Sequence, residues 1–205
     1  MIGFFIIYKK IKAMFKIASH NSLTYLPVKN WYLIPFKYMA RCQSKDLKTQ
    51  YEEYNIRFFD IRIKFDTKED AYFGHGLITY KAKIEDVFTY LNNKEGVTVR
   101  ILLENKSKKY YKRFREFCDY LVKRFPHINF IGGRDKHNWE IVYNFPGHEP
   151  TYLDKYASNN KLAKNCSGWI LDDLCPWIYA KLFNKKNIQK GTDKEYLMID
   201  FVNIS

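Results

Sequence analysis

Apolar and polar positions alternate along the chain in two different periods. Phe15–His20 is apolar and ends in a polar turn, which predicts a strand leaving a core. Leu47, Gln50, Tyr51 and Tyr54 recur at helical spacing within 44–54. Asn55–Phe65 is rich in aromatic and β-branched residues and predicts a strand, and Ala71–Gly76 predicts a short one closed by glycines. Ile84, Val87, Phe88 and Leu91 define one face of a helix over 84–92, which Gly96 follows. Val97–Leu103 predicts a buried strand.

Ser107 is expected to cap the longest helix, running to about Phe125. Phe114, Phe117, Leu121 and Phe125 form its apolar stripe, lysines and arginines cover the rest, and Pro126 stops it. Strands are expected over Ile128–Ile131, Trp139–Phe145 and Tyr196–Val202, and a helix over Trp177–Phe183. Such alternation predicts a parallel α/β fold, either a barrel or a doubly wound sheet. In a barrel, chemistry gathers at the C-terminal ends of the strands. His20, Asn21, Asp60, Arg62, His75, Glu104 and Asp200 stand at those places.

A length of 205 residues suits one domain, 1–205. The first 14 residues are an apolar and then basic segment. Charge follows the apolar run, the reverse of a secretory leader, and the run is too short to span a bilayer. A packed or interfacial segment is therefore expected, with a cytoplasmic or peripheral-membrane location. The formal charge of +13 favours anionic partners. Cys42, Cys118, Cys166 and Cys175 lack the C-x-x-C spacing of zinc or redox motifs, and buried apolar roles are expected for them.

Two strand-end histidines with an arginine between them suit phosphodiester cleavage. One imidazole takes the proton of an attacking hydroxyl and the other protonates the leaving oxygen, tasks that need a pKa near neutrality. A guanidinium stabilises the charge that develops on phosphorus oxygens. Asp60 and Arg62, two residues apart on one strand, point the same way. Asp200 needs a partner if buried, and His20 is the candidate.

Ala18–Ser22, Gln50 with Ile56–Arg62, Gly74–Gly76, Val99–Asn105 and Met198–Phe201 together resemble the X domain of the phosphatidylinositol-specific phospholipases C. The resemblance implies a distorted TIM-type barrel, with a strand or helix missing or shortened near the C-terminus. It implies His20 as general base, His75 as general acid, Asp200 behind His20, Arg62 on the phosphate and Asp60 orienting the cluster. Asn21 and Glu104 would face the substrate. Asp154 and Tyr156 look like a bacterial pair that holds and stacks on the inositol ring. The site is a hybrid: bacterial members carry Asp at the Asn21 position and Lys at the Glu104 position. Calcium-dependent members share Asn21 and Glu104 but place a carboxylate where Arg62 stands.

No cofactor is expected. A guanidinium at 4 Å would repel a divalent ion by roughly 8 kcal/mol at an effective dielectric of 20, which disfavours calcium. The expected substrate is an anionic phospholipid or another phosphodiester, met by a monomer through a basic and aromatic surface, with no nucleic-acid partner. The alternatives are a glycerophosphodiester or lysophospholipid diesterase, whose metal-dependent relatives need a Glu-x-Asp pair that Asp60-Ile-Arg62 does not supply, and a non-catalytic domain binding anionic membrane or nucleic acid.

Overall fold

A computed structural model describes residues 15–105, 107–132, 162–165, 174–192 and 194–205. Its strands are β1 (Lys16–Ser19), β2 (Phe58–Phe65), β3 (Ala71–His75), β4 (Ile78–Thr79), β5 (Thr98–Leu103), β6 (Asn129–Gly132), β7 (Leu162–Lys164) and β8 (Tyr196–Ile199). Its α-helices are α1 (Lys37–Ala40), α2 (Leu47–Glu52), α3 (Ile84–Asn92), α4 (Tyr111–Arg124) and α5 (Pro176–Lys190). A 3-10 turn over Trp31–Phe36 leads into α1.

The strands pair in parallel in the order β7, β8, β1, β2, β5, β6. The C-terminal half of β2 also pairs antiparallel with β3, which turns into β4. Among the described residues the sheet does not close; β6 and β7 are the two ends of its parallel arc. The described strands thus form the arc of a distorted barrel, and the hairpin β3–β4 departs from strict strand–helix alternation.

Every position of β2 but Lys64 is buried, because both faces of the strand are covered. Phe59, Ile61, Ile63 and Phe65 pack outward with Val99, Ile101 and Leu103 against Phe88 and Leu91 of α3 and Phe114, Phe117 and Leu121 of α4. The alternate positions turn inward. Ala18, Phe58, Leu162 and Met198 form an apolar floor inside the arc. Above that floor stand Asp60 and Arg62 of β2 and Arg100 of β5, all buried. The period of two that seals the core therefore also stacks charges up the barrel interior.

Helix α3 matches its expected bounds, and α5 extends further than expected, starting on Pro176 at its first turn. Two expectations are corrected. Ser107 does not cap the long helix: a 3-10 turn over Lys108–Tyr110 intervenes, and α4 begins at Tyr111. Asp200 is not inside the last strand. β8 stops at Ile199, and a short 3-10 turn follows over Val202–Ile204. The expected strand 139–145, the segment 1–14 and Cys166 lie outside the described residues, as do Asp154 and Tyr156. Cys42 and Cys118 are buried as expected, whereas Cys175 is half-buried.

Candidate active site

The parallel register sets the site. Ser19 lies beside Phe59 of β2 and Ile199 of β8, so the residues just beyond β1 and β8 emerge together. His20 Nδ1 donates to Asp200 Oδ1 at 2.7 Å, and both groups are buried. This fixes the tautomer that leaves Nε2 as an acceptor. Gln43 pins the junction: its Nε2 donates to the carbonyls of His20 and Ile199, and its Oε1 accepts from Val202 N–H. Asn184 of α5 donates to the Asp200 carbonyl.

Asn21 follows with φ +43°, a left-handed conformation that asparagine tolerates better than most residues. Its side-chain Nδ2 lies 3.3 Å from His20 Nε2, 3.2 Å from His75 Nε2 and 3.3 Å from Cys42 Sγ. A carboxamide NH2 has two hydrogens for these three neighbours. His75 Nδ1 donates to the Ala40 carbonyl at 2.9 Å, so its Nε2 also faces inward. The two Nε2 atoms thus lie within two hydrogen-bond lengths of one another.

Arg62 joins the groups. Its Nη2 is 3.2 Å from His20 Nε2, its Nη1 donates to Glu104 Oε2 at 3.2 Å, and its Nε lies 3.4 Å from Asp60 Oδ2. Asp60 also accepts from Asn21 N–H on Oδ2, and its Oδ1 is 2.9 Å from Arg100 Nε. One carboxylate therefore anchors two buried guanidiniums. Burial would push Asp60 up, but Arg100, Arg62 and the Asn21 N–H more than offset it and hold its carboxyl below the usual range. Glu104 behaves the same way: burial raises it, while Arg62, His75 and the Gly76 N–H hold it low.

All expected site residues within the described structure therefore converge: His20, Asn21, Asp60, Arg62, His75, Glu104 and Asp200. Arg100, Gln43 and Asn184 were missed. Arg100 had a signal, a charge inside the apolar run Val97–Leu103 that demands a partner. Gln43 and Asn184 had none, since their partners are backbone carbonyls brought together by the fold.

Asn21, Asp60 and Glu104 are the oxygen groups that could face a calcium ion. Arg62 already occupies one oxygen of Glu104 and one of Asp60. His20, Cys42 and Asp200 place ligand atoms within 4.8 Å of one another. His20 Nδ1 and Asp200 Oδ1, however, sit closer than two ligands of one tetrahedral zinc, which stand about 3.3 Å apart. That set reads as a hydrogen-bonded pair beside a thiol.

No protein-family profile and no curated protein sequence matches this chain. Solved structures do. The phosphatidylinositol-specific phospholipase C from Listeria monocytogenes superposes with a TM-score of 0.61 at 16% identity, covering 94% of this chain and 90% of its own. A single-substitution variant of the Staphylococcus aureus enzyme of the same name gives 0.56 at 15% identity, covering 91% and 84%. The chain thus has the distorted-barrel fold of the bacterial phosphatidylinositol-specific phospholipases C.

Proposed function

We propose that the chain cleaves the phosphodiester of an inositol phospholipid without a metal, by attack of the inositol 2-hydroxyl on phosphorus. The observation that carries this reading is the pair of imidazoles: each Nδ1 is tied to an acceptor, both Nε2 atoms converge on Asn21 Nδ2, and Arg62 lies against that of His20. His20 Nε2 takes the hydroxyl proton as the new P–O bond forms. Arg62 bears the charge growing on the phosphoryl oxygens. The bond to the glycerol oxygen breaks, and protonated His75 returns a proton to that oxygen from Nε2. The products are an inositol cyclic phosphate and diacylglycerol. The nucleophile is already tethered to the phosphate, so the substrate itself removes much of the entropic barrier.

The surface beside the site favours a lipid over a soluble diester. Trp31 is 79% exposed, and Tyr32, Ile34, Phe36 and Tyr38 are more than half exposed. This segment contains no buried residue yet leads directly to Ala40, whose carbonyl holds His75. Leu77, beside His75 at the β3–β4 tip, is 81% exposed. Apolar side chains clustered at a site entrance suit insertion into a lipid interface. Among the described residues no helix is long and apolar enough to cross a membrane.

Phosphorus NMR tests the chemistry. In the presence of EDTA, phosphatidylinositol should give a downfield cyclic phosphate before any monoester. A monoester formed directly, or activity that EDTA abolishes and calcium restores, would overturn the reading. Interfacial docking is tested by Trp31→Ser with Phe36→Ser. Binding to phosphatidylinositol vesicles should weaken by about 10-fold or more, since each apolar side chain withdrawn contributes roughly 1.5–3 kcal/mol. Turnover of a water-soluble short-chain substrate should change little. Equal losses on both substrates would place these residues in folding instead.

A further inference from the structure

The tip of the β3–β4 hairpin carries His75, and a bare two-residue turn is a soft platform for a proton donor. His75 pairs with Ile78, leaving Gly76–Leu77 as the turn, with Gly76 at φ +55°. That conformation fits a type II′ turn, where glycine takes the first central place. β3 pairs with β2 only over Ala71–Phe73, and a hairpin without further support is marginally stable, so the position of His75 depends on what ties the tip to the barrel.

Two side chains grip the single residue Gly76 from opposite sides. Glu104 Oε1 accepts from Gly76 N–H at 2.6 Å, and Lys64 Nζ donates to the Gly76 carbonyl at 2.8 Å. Lys64 follows Asp60 and Arg62 on the same face of β2. Its stem crosses the space above Gly74: a Cβ there would meet Lys64 Cδ at 2.2 Å and Cγ at 2.6 Å. Gly74 is thus the gap through which the lysine reaches the turn. Burial lowers the Lys64 pKa, while the nearby Glu104 supports its charge.

Resting on the function proposed above, we propose that Lys64, with Gly74 as its passage and Glu104 as its counterpart, is the positioning residue for the general acid His75. Glu104 shares its carboxylate between Arg62 and Gly76. The phosphate-binding guanidinium and the acid-bearing turn are therefore held in one frame, and Lys64 closes that frame from the carbonyl side. Lys64 acts through the backbone of the turn, at the Gly76 carbonyl.

The prediction is a dependence on the leaving group. A diacylglycerol alkoxide is a strong base and needs the acid; a p-nitrophenolate is a weak base and leaves without it. Lys64→Met should lower kcat on phosphatidylinositol by about 10-fold or more, within the span of acid–base catalysis. On the p-nitrophenyl ester of inositol phosphate it should lower kcat less than about 3-fold. Gly74→Ala should lower kcat on phosphatidylinositol as well, because its Cβ would displace the Lys64 stem and also press on the Ile78 carbonyl at 2.9 Å. Independently of turnover, Lys64→Met should speed hydrogen exchange at the Gly76 amide and shift the His75 ring resonances. Equal losses on both substrates, or unchanged exchange and resonances, would overturn the positioning role. If the wild type cleaves neither inositol substrate, the proposed function falls, and the exchange measurement still decides the tether.

Discussion

His20→Ala and His75→Ala should each lower kcat on phosphatidylinositol by about 10²–10⁴-fold or more, with the fold retained. The two losses should differ in kind. Without His20 the base itself is gone, so the loss should persist whatever the leaving group. Without His75 only departure of a basic alkoxide suffers, so a p-nitrophenyl leaving group should restore much of the rate. The wild-type pH profile should be bell-shaped, because one imidazole must be neutral and the other protonated. Fold retention is checked by circular dichroism and thermal melting. Turnover near the wild-type level by either variant would end the two-histidine assignment.

Asp60→Ala should destabilise the protein by about 3–5 kcal/mol, because removing one member of a buried charge pair leaves the other uncompensated. Here one carboxylate serves two guanidiniums, of which Arg62 keeps Glu104. Arg100 and Asp60 have no solvent exposure, and Arg62 is 3% exposed. A loss of that size is a large share of the roughly 5–15 kcal/mol that holds a domain together. The carboxyl also sets an acid limit. Its folded-state pKa lies below the ordinary value of 3.8, so its contribution is fully present above that value. The contribution is lost as pH falls through the lower, folded-state pKa. Asp60→Asn should therefore destabilise at neutral pH and flatten the acid limb of the stability profile. Removing the partly exposed carboxylate of Glu52, paired with Lys94, should cost far less. Urea titrations from neutral to acid pH read all three variants. An Asp60→Ala loss below about 1 kcal/mol would show that water or another group compensates the arginines.

The two arginines give the expected orienting role of Asp60 a physical form. Its two-residue spacing from Arg62 pointed to one partner. Arg100, its second partner, comes from β5, which lies 40 residues away along the chain and directly beside Asp60 in the sheet. Glu104 is expected to face the substrate. The structure pairs it with Arg62 and adds the Gly76 amide.

Periodicity in the sequence is enough to place β2, α3 and β5 and to mark the polar strand ends, because repeats of two and of about 3.6 residues follow from backbone geometry alone. The motifs around His20, Arg62, His75 and Asp200 are equally local, and they suffice to nominate the site and the barrel. Local pattern does not specify which residues meet across the sheet. The return of β3 antiparallel along β2, the Lys64–Gly76 tether and the Gln43 and Asn184 bonds to backbone carbonyls depend on register and on chain segments far apart in sequence. Their energies come from groups that have no interaction until the barrel forms. Asn21 between the imidazoles and Asp60 between the arginines are consequences of that assembly.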